Sequence, residues 1–264
     1  MNMHTPYPTT VAEKAKEARR RVLTMIHKAG TSHIASNFSV IDIATVLYEN
    51  LKPTDEVVWS KGWAAATIYY FLAQQGKIPA EDLEKFPNAP YLGLAETTVP
   101  GVLCNGGAVG HGTPIAVGIA LGKKRAGQSG KVYCVMSDGE LNEGVVWESA
   151  MIARHHHLSN LVFVIDANKW QAMGKTRDVI NLEPIERHFE GFGFQTFRYD
   201  GHNYDQLERV FGLVSRDNKL NNLPVALIFD TVKGKGVSFM EDHLLYHYKH
   251  VSDDDYRKAM AELV

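Results

Sequence analysis

An α/β fold with a central, mostly parallel sheet and helices on both faces is predicted by three observations. Short apolar runs at Lys131–Met136, Leu161–Ile165, Phe194–Tyr199 and Pro224–Phe229 have the length of buried strands. Stretches with helical spacing separate them. Two side chains that carry oxygen, Asp138 and Asn168, fall just past two of these runs, at the strand ends where sheets of this kind bind ligands.

Taken in order, Thr10 to Lys28 mixes charged and apolar residues at helical spacing, and Gly30 follows as a stop. Val40 to Asn50 reads as a second helix leading to Pro53. From Lys77 to Pro100 the periodicity dissolves into proline-rich sequence, expected to run irregularly over the surface. Thr113 to Lys124, rich in Ala, Gly and Ile, predicts a closely packed helix, and Glu143 to His156 another. Tyr204 to Ser215 predicts a helix between the last two strands. The tail VSDDDYRKAMAEL reads as an N-capped helix whose aspartates suit the positive helix end.

A chain of 264 residues, 45% hydrophobic, can build one substantial core. No repeat, low-complexity stretch or linker divides it, so residues 1–264 are expected to form one domain. A net charge of -2 gives no global electrostatic reason for binding nucleic acid or an anionic membrane. MNMHTPYPTT lacks an apolar leader core, and no apolar run reaches spanning length. Cys104 and Cys134 form no CxxC pair and read as buried reduced thiols. A cytoplasmic protein is the expectation.

The segment from Ser137 to Gln171 carries the chemistry. Thirty positions and one helix separate Asp138 from Asn168, so both should converge on one sheet edge. A carboxylate and an amide suit a hard cation such as Mg²⁺, which keeps phosphate oxygens and water in its shell. Gly139 permits close backbone approach, and the helix that follows can direct N–H groups at an anion. Either residue alone is read more economically as a turn cap; the two together favour the metal site.

This run resembles the thiamine-diphosphate motif, Gly-Asp-Gly followed by Asn, with Ser137 in place of the first glycine, and the chain resembles the N-terminal, diphosphate-binding subunit of a split transketolase. The resemblance implies the thiamine-diphosphate-binding fold. It further implies Mg²⁺ held by Asp138, Asn168 and the carbonyl of Trp170, with Gly139 and Glu140 beside the cofactor. Glu143 and Glu148 match acidic positions at the family's dimer interface, although their spacing of five does not put them on one helical face and a solvated role remains open. GGAVGHGTPIAVGIALGKK is similar to the family's glycine-rich loop and helix, which assigns Gly110, His111 and Gly112 to cofactor binding, with Gly106 and Gly107 in the same loop and His111 in a structural rather than catalytic role. In GTSHIASNFSVIDIATVLY, His33 matches a substrate-facing histidine. In TVKGKGVSFMEDHLLYHY, Lys233 matches a lysine near the diphosphate, and His247, fourteen residues on, a histidine near cofactor and substrate. A solvated loop charge for Lys233 and a surface histidine for His247 are the alternatives. His33 and His247 are the catalytic candidates, as acid–base or substrate-orienting groups.

Two departures stand out. The family's Ser-Lys-Gly-His is here Ser60-Lys61-Gly62-Trp63, and a Gly-His-Pro element is Gly93-Leu94-Ala95. Loss of two hydrogen-bonding groups should weaken recognition of a conventional ketose and points to a modified donor or acceptor. The implied activity is transfer of a two-carbon ketol unit from a ketose to an aldehyde. The chain ends at Val264 without a second α/β domain, so the resemblance implies a partner subunit carrying the pyrimidine-binding domain and its activating glutamate, with two copies of each chain. Decarboxylation of a 2-oxo acid with carboligation, or a non-catalytic assembly role, are the other readings. No GxGxxG follows an early strand, which counts against an NAD-dependent dehydrogenase. His155, His156 and His157 point in different directions on a helix and do not read as a zinc site. Trp147, Tyr69 and Tyr70 read as core or interface aromatics.

Overall fold

Thr10 begins the first helix with a reciprocal capping box. Its Oγ1 accepts from the Glu13 amide at 3.2 Å, and Glu13 returns the bond to the Thr10 amide at 2.9 Å. Gly30 closes the helix at φ 58°. The structure is a computed structural model that describes residues 10–216 and 222–264. The reading of residues 1–9 as free of an apolar leader therefore lies outside the described residues.

Chain order runs α1 (Val11–Ala29), α2 (Ile34–Asn50), β1 (Glu56–Trp59), α3 (Ala65–Gln74), α4 (Gly112–Arg125), β2 (Val132–Ser137), α5 (Gly144–His155) and β3 (Leu161–Ala167). A small hairpin follows, β4 (Trp170–Gln171) and β5 (Gly174–Lys175), then α6 (Thr176–Val179), α7 (Ile185–Gly191) and β6 (Gln195–Asp200). α8 (Tyr204–Ser215), β7 (Val225–Asp230), α9 (Leu245–Tyr248) and α10 (Asp253–Glu262) complete the order.

Five strands pair in the order β1-β2-β3-β7-β6, every neighbour parallel. Alternation along the strands sorts their side chains into two layers. Tyr133, Val135, Val162, Val164, Val225, Leu227 and Phe229 pack with α1, α2, α3 and α8. Cys134, Met136, Phe163, Ile165, Ala226 and Ile228 turn the other way, against α4, α5 and α7. Both faces are thus covered, as the continuous apolar runs required. Cys104 and Cys134 are buried and free. Among the described residues no helix is long and apolar enough to cross a membrane.

The second helix starts six residues before the expected Val40, at Ile34. Ile34 through Tyr48 are buried on every side, so no amphipathic stripe marks the element, and Ser36, Asn37 and Ser39 lie inside it as buried polar groups. α3 escapes a periodicity reading for the same reason, Ala65 through Leu72 being buried. Residues 77–100 form no strand or α-helix, only a short 3-10 turn at Ala80–Lys85. Asp138 does not lead straight into a helix: a 3-10 turn, Asp138–Asn142, intervenes before α5, because Glu140 bonds back to the Ser137 amide at 3.0 Å. The tail helix forms as expected, Ser252 Oγ accepting from the Asp255 amide at 3.1 Å.

Tyr69 and Tyr70 are buried, and Trp147 packs on Phe189 and Phe192 with ring centroids 5.1 and 5.7 Å away. His155 to His157 sit at the frayed end of α5, with His157 in the left-handed region at φ 48° and bonded to Arg154.

Candidate active site

Four adjacent strands deliver the site from their carboxyl ends: Ser60 and Lys61 follow β1, Asp138 follows β2, Asn168 follows β3, and Thr231 to Lys233 follow β7. A cavity of about 560 Å³ opens there, lined by Asp138, Asn168, Thr176, Leu182, Ile185 and Thr231 among others. The two residues predicted to converge do converge.

Asp138 is 3% exposed. Its Oδ2 accepts from the Lys169 amide and the Thr176 hydroxyl, each at 2.9 Å, while Oδ1 is buried without a hydrogen-bond partner. Burial, and then the nearby Asp166 carboxylate, push its pKa up to about 7. An orphaned, buried carboxylate oxygen on a residue that lines the cavity fits a divalent cation, since a buried charge needs a partner. Asn168 Oδ1 accepts from the Trp170 amide at 3.1 Å, which makes it a turn former as well as a cavity wall. Trp170 lies on β4, with Nε1 donating to Asp242 Oδ1 at 2.5 Å and Lys175 Nζ 5.0 Å from its ring centroid.

The glycine-rich loop packs down on the β1 turn. A Cβ at Gly62 would lie 2.3 Å from Gly106 Cα, and one at Gly112 would lie 2.5 Å from Ser60 Cβ, so these backbones approach more closely than any side chain allows. Glu140 ties the layers together. It is 1% exposed, and its carboxylate accepts from the Gly110 amide at 2.9 Å and from the Ser60 hydroxyl. Gly139 backs onto β4, where a Cβ would lie 2.9 Å from Gln171 Cβ. His111 is exposed at the start of α4. Glu143, just before α5, and Glu148 on it are both exposed.

On the far side of Thr231 lies a polar cluster. Lys233, 1% exposed, places Nζ 3.2 Å from Ser36 Oγ and 3.0 Å from His247 Nδ1. Burial, and then Lys61, lower its pKa to about 7. The imidazoles of His33 and His247 are 4.7 Å apart. Burial and the lysines 233 and 61 depress His33 to about 4; burial, Lys233, His33 and Lys61 depress His247 to about 3. Neither Lys233 nor His247 is a solvated surface group, contrary to the alternative reading of each. His33 also adopts φ 70° at the start of α2, an uncommon conformation for a non-glycine residue, and its ring stacks on Trp63 at 4.3 Å and 14°.

Between the two halves sits a hub that the sequence motifs do not mark. Asp166, fully buried on β3, receives Lys61, the Ser39 hydroxyl at 2.7 Å and the Thr231 hydroxyl. Burial alone would raise its pKa, but Lys61 and the two hydroxyls hold it below the ordinary carboxylate value. One carboxylate thus joins α2, the β1 turn and the loop after β7. The available signal was a charged residue near the end of an otherwise apolar run, VFVID.

The profile of the family described as "Transketolase, thiamine diphosphate binding domain" matches residues 11–263. The chain is 32% identical over 285 residues to an apulose-4-phosphate transketolase subunit of Actinobacillus succinogenes, covering all of this chain and 99% of that protein. It is 31% identical over 264 residues to the 6-deoxy-6-sulfo-D-fructose transketolase subunit SqwG of a Clostridium species, covering 95% and 94%. Among solved structures, the transketolase of Campylobacter jejuni superposes with a TM-score of 0.88 at 26% identity, over 97% of this chain and 43% of that one. The chain therefore belongs to the transketolase family as its N-terminal, thiamine-diphosphate-binding domain.

Proposed function

We propose that this chain is the diphosphate- and Mg²⁺-binding subunit of a two-chain transketolase that moves a two-carbon ketol unit from a ketose to an aldehyde in specialised sugar metabolism. The observation that carries the reading is the orphaned Oδ1 of Asp138, which lines one cavity together with Asn168. Bound thiamine diphosphate supplies a thiazolium carbanion that can attack a carbonyl carbon. Asp138, Asn168 and the Trp170 carbonyl would hold Mg²⁺. Gly110, His111, Gly112, Gly139 and Glu140 form or brace the wall against which the cofactor lies. Lys233 and His247 would reach its phosphate side.

Substrate handling falls to His33 and His247. His247 Nδ1 lies opposite the Lys233 ammonium, so the ring accepts there and keeps its proton on Nε2. That N–H can donate to a sugar hydroxyl oxygen, and His33, whose Nδ1 is 2.7 Å from Ser32 Oγ, can exchange a proton with a second one. Both rings are held neutral at ordinary pH, which leaves His33 free to act as a base while His247 acts as a donor.

Both relatives are named as single subunits of transketolases, which supports a partner chain bearing the pyrimidine-binding domain. The proposed assembly has two copies of each chain, with Glu143 at the start of α5 and Glu148 on it at an interface, in the cytoplasm. Residues 1–264 act in it as one diphosphate-binding domain.

Calorimetry with thiamine diphosphate and Mg²⁺, on the chain alone and with its partner, tests the reading, with product analysis from ketose and 2-oxo acid donors. Binding together with ketol transfer from a ketose is expected. No binding in either form would make a non-catalytic assembly role the better account, and turnover restricted to 2-oxo acids a decarboxylase.

A further inference from the structure

Trp63 and Leu94 come from separate segments, yet the backbone sets them on one wall. The Gly62 carbonyl accepts from the Ala95 amide at 3.1 Å, and the Ala95 carbonyl from the Gly106 amide at 2.6 Å. Tyr69 donates its hydroxyl to the Leu94 carbonyl at 2.8 Å. Asn37 Nδ2 donates to the Trp63 carbonyl at 3.4 Å, while Asn37 Oδ1 accepts from the Thr67 amide and hydroxyl. The turn is therefore anchored on three sides. The backbone that carries the indole is thus fixed.

One face of that indole is spent on His33, stacked at 4.3 Å and 14°. Trp63 nevertheless remains 38% exposed, so the ring surface that His33 leaves uncovered is open. Leu94 is half-buried, and its Cδ1 lies 3.7 Å from where a Cβ on Gly107 would stand. The indole face and the leucyl side chain offer apolar contact to carbon, the one polar group of the pair being the indole Nε1–H at the ring edge. The cluster of His33, His247 and Lys233 is itself rich in polar nitrogen. A substrate that reaches the cluster across the open part of the indole meets hydrogen-bonding groups at the imidazoles and carbon at the indole face.

We infer that Trp63, with Leu94 beside it, determines substrate specificity, and that the sugar presents a deoxygenated or methyl-bearing carbon to this wall. The inference rests on the ketol-transfer reading and narrows its substrate class. An apolar wall rejects an added hydroxyl only modestly, whereas a polar wall penalises a missing one more heavily. Replacing the indole by imidazole should therefore move the preference between matched substrates by about 10- to 100-fold.

The experiment uses the two-chain enzyme and pairs of sugars that differ by hydroxyl against hydrogen or methyl at one carbon, tested at each non-reacting carbon. Wild type should favour the deoxy or methyl member at one carbon. Trp63→His should shift the ratio of kcat/KM toward the hydroxylated member by about 10- to 100-fold, and Trp63→Phe should keep it within about threefold. A ratio that Trp63→His leaves unshifted at every carbon overturns the inference while leaving ketol transfer standing. Absence of ketol transfer by the wild type with every sugar overturns both. Should Trp63→His fail to fold, Trp63 emission, isolated as wild type minus Trp63→Phe, reads binding directly: a change at lower concentration with the deoxy member supports the inference, and equal responses overturn it.

Discussion

Asp138 divides its work between its two oxygens. Oδ2 closes the loop onto Lys169 and Thr176, and Oδ1, which has no hydrogen-bond partner, is the atom the proposed Mg²⁺ site would use. Asp138→Asn can keep both Oδ2 bonds while removing the charge, so the variant should fold with a Tm no lower than the parent and lose cofactor affinity on the order of 100-fold in the presence of Mg²⁺. Thermal melting read beside calorimetry separates those two effects. The imidazoles give a pH signature. An ordinary histidine protonates near 6.5, yet in the fold His33 stays neutral to about 4 and His247 to about 3. Between those values the unfolded chain binds more protons, so stability is complete above about 6.5 and drains as pH falls toward 3. Urea midpoints measured across that window should decline, and His33→Asn with His247→Asn should flatten the decline. Asp138, Asn168, Lys233 and the two histidines were legible as residues because each sits in a recognisable motif. The hub at Asp166 and Lys61 was not, since a lysine in a turn and an aspartate 105 positions later declare no pairing until the chain folds.

The elements are held in register by contacts too close for side chains and by buried charge. Gly62→Ala would set a methyl group 2.3 Å from Gly106 Cα, forcing the β1 turn off the glycine loop at a cost of about 1–3 kcal/mol, with weakened cofactor binding as the second readout. Away from the cavity, Asp42 on α2 receives both terminal nitrogens of Arg19 from α1, at 2.8 and 2.7 Å, together with His202 and Tyr204. His202 Nε2 in turn accepts from the Val232 amide at 2.8 Å, so this network steadies the loop that presents Lys233. Asp42→Ala would leave Arg19 buried and unpaired, at about 3–5 kcal/mol, a loss that chemical denaturation would measure. Four of the five sheet strands were readable as short continuous apolar runs, and the amphipathic helices from their period of 3.6. α2 and α3 were not fully readable, because burial on every face erases the period that would mark them.

At the scale of the whole molecule, parallel pairing brings four loops, widely separated along the chain, to one sheet edge. The proposed assembly predicts that native mass measurement with the partner will find two copies of each chain, and that the isolated chain, though able to bind Mg²⁺ and diphosphate, will not turn over a ketose. By itself the sequence determined the layered α/β architecture, the cofactor motif and the family, because hydrophobic period and motif spacing are local properties. Tertiary structure alone decided that Asp138 keeps one oxygen unpaired, that Asp166 and Lys61 join the two halves of the site, and that Trp63 lies on His33. Those facts depend on which distant segments become neighbours, and burial, hydrogen bonding and charge take their values from neighbours in space.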